Sequence, residues 1–250
     1  MRAGEHHHRA WVGPPQTYDL VAAGQFGLLT QLGLREHHTL LDVGCGSLRG
    51  GRLFIPYLLP ERYFGIEPET WALEEGIASE VGRDLIDLKR PSFSDVDDFR
   101  LSVFGRRFDY ILAQSIFSHA ARHQIERCLA EAAEVLEPEG LLAATWMEGP
   151  DHAGTEWVYP ECATYQADSM GALVEAAGLR FEPVEWPHPN GQRWFVATRP
   201  DAPPRAEGGT IAGTYGLRER LATAEGALER IGRHPVYRAY RWVRRLGRPR

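Results

Sequence analysis

Short apolar runs alternate with longer segments of helical spacing along most of the chain. Leu40–Val43, Tyr63–Ile66 and Phe108–Ala113 read as strands, as do residues 141–146. A shorter third strand is placed within 91–99, ending near Asp98. Residues 181–186 and 194–198 supply the last two. Between them, 17–32 reads as a helix carrying Leu20, Phe26, Leu29 and Leu32. A second helix follows Pro68 and runs through Ile77. A third covers 121–136 with Ile125, Leu129, Ala132 and Leu136 on one face. Asp168 or Ser169 can cap a fourth, which runs through Ala177 and is closed by Gly178. This alternation predicts an α/β fold: a three-layer sandwich on a seven-stranded, mostly parallel sheet.

Pro200 and the Pro203–Pro204 pair mark the exit from that core. Three regions follow: an N-terminal extension (1–16), the α/β domain (17–200), and a linker with a basic helical extension (201–250). The extension reads as helical over 214–246, with Val236, Tyr240 and Val243 on one face. The chain carries a formal net charge of −6, unevenly spread. Eight arginines and no acids occur from Arg230 onward, against twenty basic and thirty-four acidic residues before it. An acidic body with a basic tail argues against general nucleic-acid binding. It leaves self-association, or contact with an anionic surface, open to the tail. No transmembrane span is visible, and residues 1–9 lack the apolar core of a secretory signal. Cys45, Cys128 and Cys162 show no CxxC spacing, which fits reduced thiols in the cytoplasm. No metal site is assigned.

The chemistry concentrates after the first strand, in Leu40-Leu41-Asp42-Val43-Gly44-Cys45-Gly46-Ser47-Leu48-Arg49-Gly50-Gly51. Gly44 and Gly46 remove side chains where backbone must turn tightly beside a ligand. A dinucleotide site wants a further glycine where Arg49 stands, and the run lacks the GK[ST] ending of a P-loop. Asp42, just before the turn, can attract a positively charged ligand group. The pattern therefore points to a different nucleoside ligand.

This run resembles the first motif of the class I S-adenosylmethionine methyltransferase family, with its usual third glycine displaced. The resemblance covers about residues 17–199, including the order of elements, and implies a Rossmann-like fold and S-adenosyl-L-methionine as cofactor. It implies that Gly44 and Gly46 approach the cofactor and that Asp42 orients its methionine end, where Arg49 or Arg52 could meet the carboxylate. Glu67, at the end of the second strand, would accept hydrogen bonds from the ribose hydroxyls. Asp98-Phe99 resembles the acid–hydrophobic pair at the adenine, with Asp95-Val96 as a competing register. Gln114 ends the fourth-strand motif and could contact cofactor or acceptor, whereas Asp109 at its start is structural.

A sulfonium already activates its methyl group, so the protein must align the reactants and manage any proton lost by the acceptor. His119, just past the fourth strand, is the leading base, and His188 is a second candidate. The 147–167 loop is expected to act as a lid, with Trp146, Trp157, Tyr159 and Tyr165 as wall residues. Trp186, His188, Asn190 and Trp194 are expected to form a second rim, with a turn at Asn190-Gly191. The Asn-Pro-Pro-Tyr signature, which resembles that of enzymes methylating exocyclic amines in bases or glutamine, is absent. The expected acceptor is a small molecule or glycan, methylated on oxygen. Small-molecule N-methylation and a noncatalytic interaction role are the alternatives.

Overall fold

The computed structural model describes residues 1–207, 210–211, 226 and 231. The chain divides into two units, Met1–Ala212 and Gly213–Arg250. The expected basic extension, with Val236, Tyr240 and Val243, lies outside the described residues, Gly226 and Ile231 apart.

In chain order the first unit contains α1 (His8–Trp11), α2 (Tyr18–Gln31), β1 (Leu40–Val43), α3 (Gly51–Tyr57), β2 (Tyr63–Ile66), α4 (Thr70–Gly76), α5 (Arg83–Lys89), β3 (Ser92–Ser94), β4 (Phe108–Ala113), α6 (Arg122–Val135), β5 (Leu136–Glu148), β6 (Thr164–Tyr165), α7 (Ala167–Ala176), β7 (Arg180–Val184) and β8 (Arg193–Thr198). The main sheet runs β3-β2-β1-β4-β5-β8-β7. β1 to β5 are parallel, and β8 is antiparallel to both of its neighbours. β6 adds a short parallel pair at the end of β5. The seven-stranded, mostly parallel expectation holds.

The apolar runs form strands because helices cover both faces. Leu41, Val43, Ile111 and Ala113 pack with Leu129 and Ala132 of α6. The alternate residues Leu40, Tyr110 and Leu112 pack with Leu28 and Leu29 of α2 and Phe54 of α3. Asp42 falls on this second face by the strand's period of two. Asp109 fastens the amino end of β4, accepting from the Thr39 backbone N–H (2.7 Å) and hydroxyl (2.8 Å). Chain order reverses between β1 and β4, so the loops leaving their carboxyl ends diverge and open a crevice.

Several expectations change. β3 stops at Ser94, four residues before Asp98. Leu20 is 62% exposed; α2 instead buries Tyr18, Val21, Ala22, Gln25, Leu28 and Leu29. Trp146 and Tyr165 are not walls of an acceptor site. Trp146 is buried against Phe181 and Phe195, and the buried Tyr165 hydroxyl donates to the Ala120 carbonyl. Nor is the cap of α7 Asp168 or Ser169. Asp151, from the preceding loop, accepts from the Gln166 N–H (2.8 Å) and the Ser169 hydroxyl (2.6 Å).

Candidate functional site

Strain gathers at the carboxyl ends of the strands. Leu48 after β1, Phe99 after β3 and Ser115 after β4 all hold positive φ, at 59°, 57° and 63°. Each costs about 1–3 kcal/mol for a side chain with a Cβ, and such residues cluster where a loop must be held in a particular path. At Leu48, buried apolar packing offsets that cost. This is how the chain turns without the displaced third glycine. Ser115 is held by a ring of bonds: its N–H donates to Thr145 Oγ1 (2.7 Å), Thr145 donates to Gln192 (2.6 Å), and Gln192 returns a bond to the Ser115 hydroxyl.

Gly44 and Gly46 adopt φ of 69° and 55°. A Cβ on Gly44 would strike Ile116, and one on Gly46 would strike Val12. The turn is thus a cradle filled by the ends of two apolar side chains. Glu67 closes it from the neighbouring strand, with Oε2 accepting from the Gly46 N–H at 2.8 Å and Oε1 from the Glu69 N–H at 2.9 Å. Burial raises the Glu67 pKa, and those two backbone donors oppose the rise. Asp42, buried beneath the turn, accepts from the Tyr63 hydroxyl at 2.7 Å. Desolvation pushes its pKa up to about 7, against the pull of Tyr63 and Arg49.

Arg49 and Gln114 meet above Asp42. Gln114 Oε1 accepts from Arg49 and from Gln25 of α2, while its amide nitrogen lies 3.0 Å from His188 Nε2. His188 Nδ1 accepts from the Asn190 N–H at 3.2 Å. Burial, then the Arg49 charge, lowers the His188 pKa to about 4, so it is a weak base. Arg52 turns away to Asp19 at 2.6 Å.

The structure places His119 elsewhere on the rim. Its Nδ1 lies 2.6 Å from the Glu161 carbonyl, which can only accept, so Nδ1 carries the proton and Nε2 the lone pair. Burial lowers its pKa. Tyr159 meets its ring edge-on at 4.9 Å, and Trp157 lies at 5.7 Å. Those two residues of the expected wall stand beside His119. His123, one turn on, is exposed. Trp186 instead anchors its loop to α2 through the Gly24 carbonyl at 3.0 Å.

Asp98 is exposed and accepts from its own turn, from the Arg100 N–H at 3.1 Å. Phe99 is partly buried, 6.5 Å from Trp157. By register, β2 and β3 pair Ile66 with Ser94, so the next residues, Glu67 and Asp95, leave the sheet side by side.

Two participants escape the sequence reading. Gln25 is the polar member of an otherwise apolar face, Tyr18, Val21, Ala22, Leu28, Leu29; that interruption is the signal that could have found it. The other is the N-terminal segment, which crosses the cradle as a strap. Arg9 pairs with Glu80 through Nε (2.6 Å) and Nη2 (3.1 Å), and His8 lies 3.0 Å from the same carboxylate. Trp11 packs between Trp71 and Tyr159, and Val12 covers Gly46.

Residues 41–142 match the model of a family described as a methyltransferase domain. The solved structure of DesVI from Streptomyces venezuelae is similar at a TM-score of 0.54 and 18% identity, covering 73% of this chain and 92% of that one. The chain has the class I S-adenosylmethionine-dependent methyltransferase fold. Magnesium protoporphyrin IX methyltransferase (ChlM) from Synechocystis PCC 6803, solved with bound S-adenosylmethionine, matches this fold at TM-score 0.54 and 15% identity, over 74% of this chain and 78% of that one. The sugar N-methyltransferase KedS8 from Streptoalloteichus sp ATCC 53650 matches at 0.53 and 17%, over 72% and 88%. Among the described residues no helix is long and apolar enough to cross a membrane.

Proposed function

We propose that the chain is an S-adenosylmethionine-dependent methyltransferase acting on a hydroxyl of a small molecule or glycan. The observation that carries this reading is the Glu67 carboxylate, fixed under the Gly46 turn where the strand order reverses. Each of its oxygens takes one backbone bond and keeps a further lone pair for a ribose hydroxyl.

The residues fit the cofactor. The cradle is closed by the ends of Val12 and Ile116, side chains that can withdraw, and the remaining cavity of about 20 Å³ requires that they do. Gln25 Oε1 and Arg49 Nε are buried without partners beside it. In this reading Glu67 holds the ribose, and Asp42 supplies negative potential beneath the methionine end. Asp95, level with Glu67 on the adjacent strand, takes the adenine-facing place in preference to Asp98, whose carboxylate serves its own turn. Phe99 flanks the adenine. Bound there, the cofactor supplies a methyl group already activated on sulfur.

His119 is the base. A hydroxyl must lose its proton, and an imidazole with Nδ1 pinned to a carbonyl presents Nε2 for it. Trp157 and Tyr159 offer flat faces to an apolar or sugar ring. The same rings suit an amine acceptor through cation–π attraction, which makes N-methylation the second reading.

Calorimetric titration with S-adenosylhomocysteine tests the proposal: saturable binding is expected. Folded wild-type protein that binds neither this product nor S-adenosylmethionine overturns it.

A further inference from the structure

Arg49 is a buried cation with no carboxylate bonded to it. The residue is 6% exposed. Its Nη1 donates to the Val12 carbonyl, Nη2 donates to Gln114 Oε1, and Nε has no acceptor. Neutral acceptors repay only part of the cost of withdrawing a guanidinium from water, so buried arginines are normally set against anions. Beside it, the Gln25 amide nitrogen is spent on Gln114, and its oxygen is buried with no donor. That oxygen is the nearest atom to a Cβ built on Gly50. Gln25, Arg49, Asp42 and Gln114 line one small cavity with Val12 and Gly44.

The Val12 carbonyl is therefore a neutral substitute at a group suited to an anion, and it belongs to the strap that covers the cradle. Gly13, at φ 123°, follows directly and supplies a pivot. A carboxylate is the stronger acceptor, since it adds ion pairing and a bidentate fit to a bond that the guanidinium alone already charge-assists.

We propose that Arg49 is shared between the strap and the ligand: it holds Val12 in this structure and takes the α-carboxylate of an amino-acid terminus when ligand binds, with Gln25 Oε1 receiving the α-ammonium. The nucleoside then displaces only the Val12 side chain from the cradle, and the amino-acid end of the ligand releases the strap's backbone. This inference rests on the cofactor reading above.

Two nucleosides separate the parts: S-adenosylhomocysteine, which carries the amino-acid end, and 5′-methylthioadenosine, which lacks it. Hydrogen exchange on the wild-type protein should show residues 8–13 exchanging faster with the first ligand and unchanged with the second. In calorimetry, Arg49→Met and Gln25→Leu should weaken the first ligand, Arg49→Met by roughly 10- to 100-fold given the worth of a hydrogen bond to a charged group. The second should keep its affinity within about twofold. Equal losses for both ligands, or a strap that stays protected under S-adenosylhomocysteine, overturn the inference while leaving the cofactor reading intact. If neither ligand binds folded wild type, the cofactor reading fails and takes this inference with it.

Discussion

Asp42 offers the sharpest physical prediction, because the protein keeps a carboxylate where alternation calls for an apolar side chain. It is buried, bonded to the Tyr63 hydroxyl, and titrates at about 7 when folded against 3.8 when exposed. A folded-state pKa raised above the unfolded one favours folding fully only below the unfolded value, and that advantage is lost as pH rises through the folded value. The window therefore runs from pH 4 to pH 7. It spans about three pH units, each worth about 1.36 kcal/mol, so the loss is on the order of 4 kcal/mol. Asp42→Asn keeps the size and an oxygen for Tyr63 but removes the titration. Urea unfolding of both proteins across pH 5 to 8 isolates the effect, because all other groups are common to both. The variant should gain on wild type by about 3 kcal/mol over that range, two of the three units falling inside it. Its affinity for S-adenosylhomocysteine should fall at the same time. Parallel stability profiles would refute the reasoning.

Four further outcomes follow from contacts at the site and in the core. Glu67→Ala strands the Gly46 and Glu69 N–H groups, so unfolding free energy should drop by about 2–4 kcal/mol and ligand binding should weaken sharply; unchanged calorimetric affinity would remove Glu67 from the site. His119→Ala should slow single-turnover methyl transfer by roughly 10²- to 10⁴-fold while leaving S-adenosylhomocysteine affinity unchanged. Because burial holds the His119 pKa below 6.5, the wild-type rate should decline with acid only below that pH; an unaltered rate in the variant excludes it as the base. Trp146→Ala should cost about 3–5 kcal/mol by denaturant titration without changing ligand affinity, as expected of a core residue. Trp157→Ala should do the reverse, raising the acceptor KM with little loss of stability.

The parallel core was legible because β1, β2 and β4 are covered on both faces and so read as short runs that are apolar apart from Asp42 and Asp109. β3 was not, since Ser92-Phe93-Ser94 carries one apolar residue, and its end was drawn toward Phe99. The same misplacement favoured Asp98 over Asp95, which leaves the sheet beside Glu67, as the candidate adenine-facing acid. Asp42, Gly44, Gly46, Arg49, Glu67 and Gln114 were legible from residue type at strand ends, and the structure brings them to one crevice. The aromatic wall was half legible: composition cannot separate Trp146, which faces Phe195 from the sheet, from Trp157, which stands beside His119. The strap was invisible because its contacts are distant in sequence, 37 residues for Val12 with Arg49 and 148 for Trp11 with Tyr159. Nothing local in His8 or Arg9 points to Glu80.

A crystal structure with S-adenosylhomocysteine tests the central claim most directly. Glu67 should lie within about 2.6–3.2 Å of the ribose hydroxyls, with Val12 and Ile116 withdrawn from Gly46 and Gly44. Density for the nucleoside elsewhere, with Val12 still covering Gly46 and Glu67 bonded only to backbone, would contradict it.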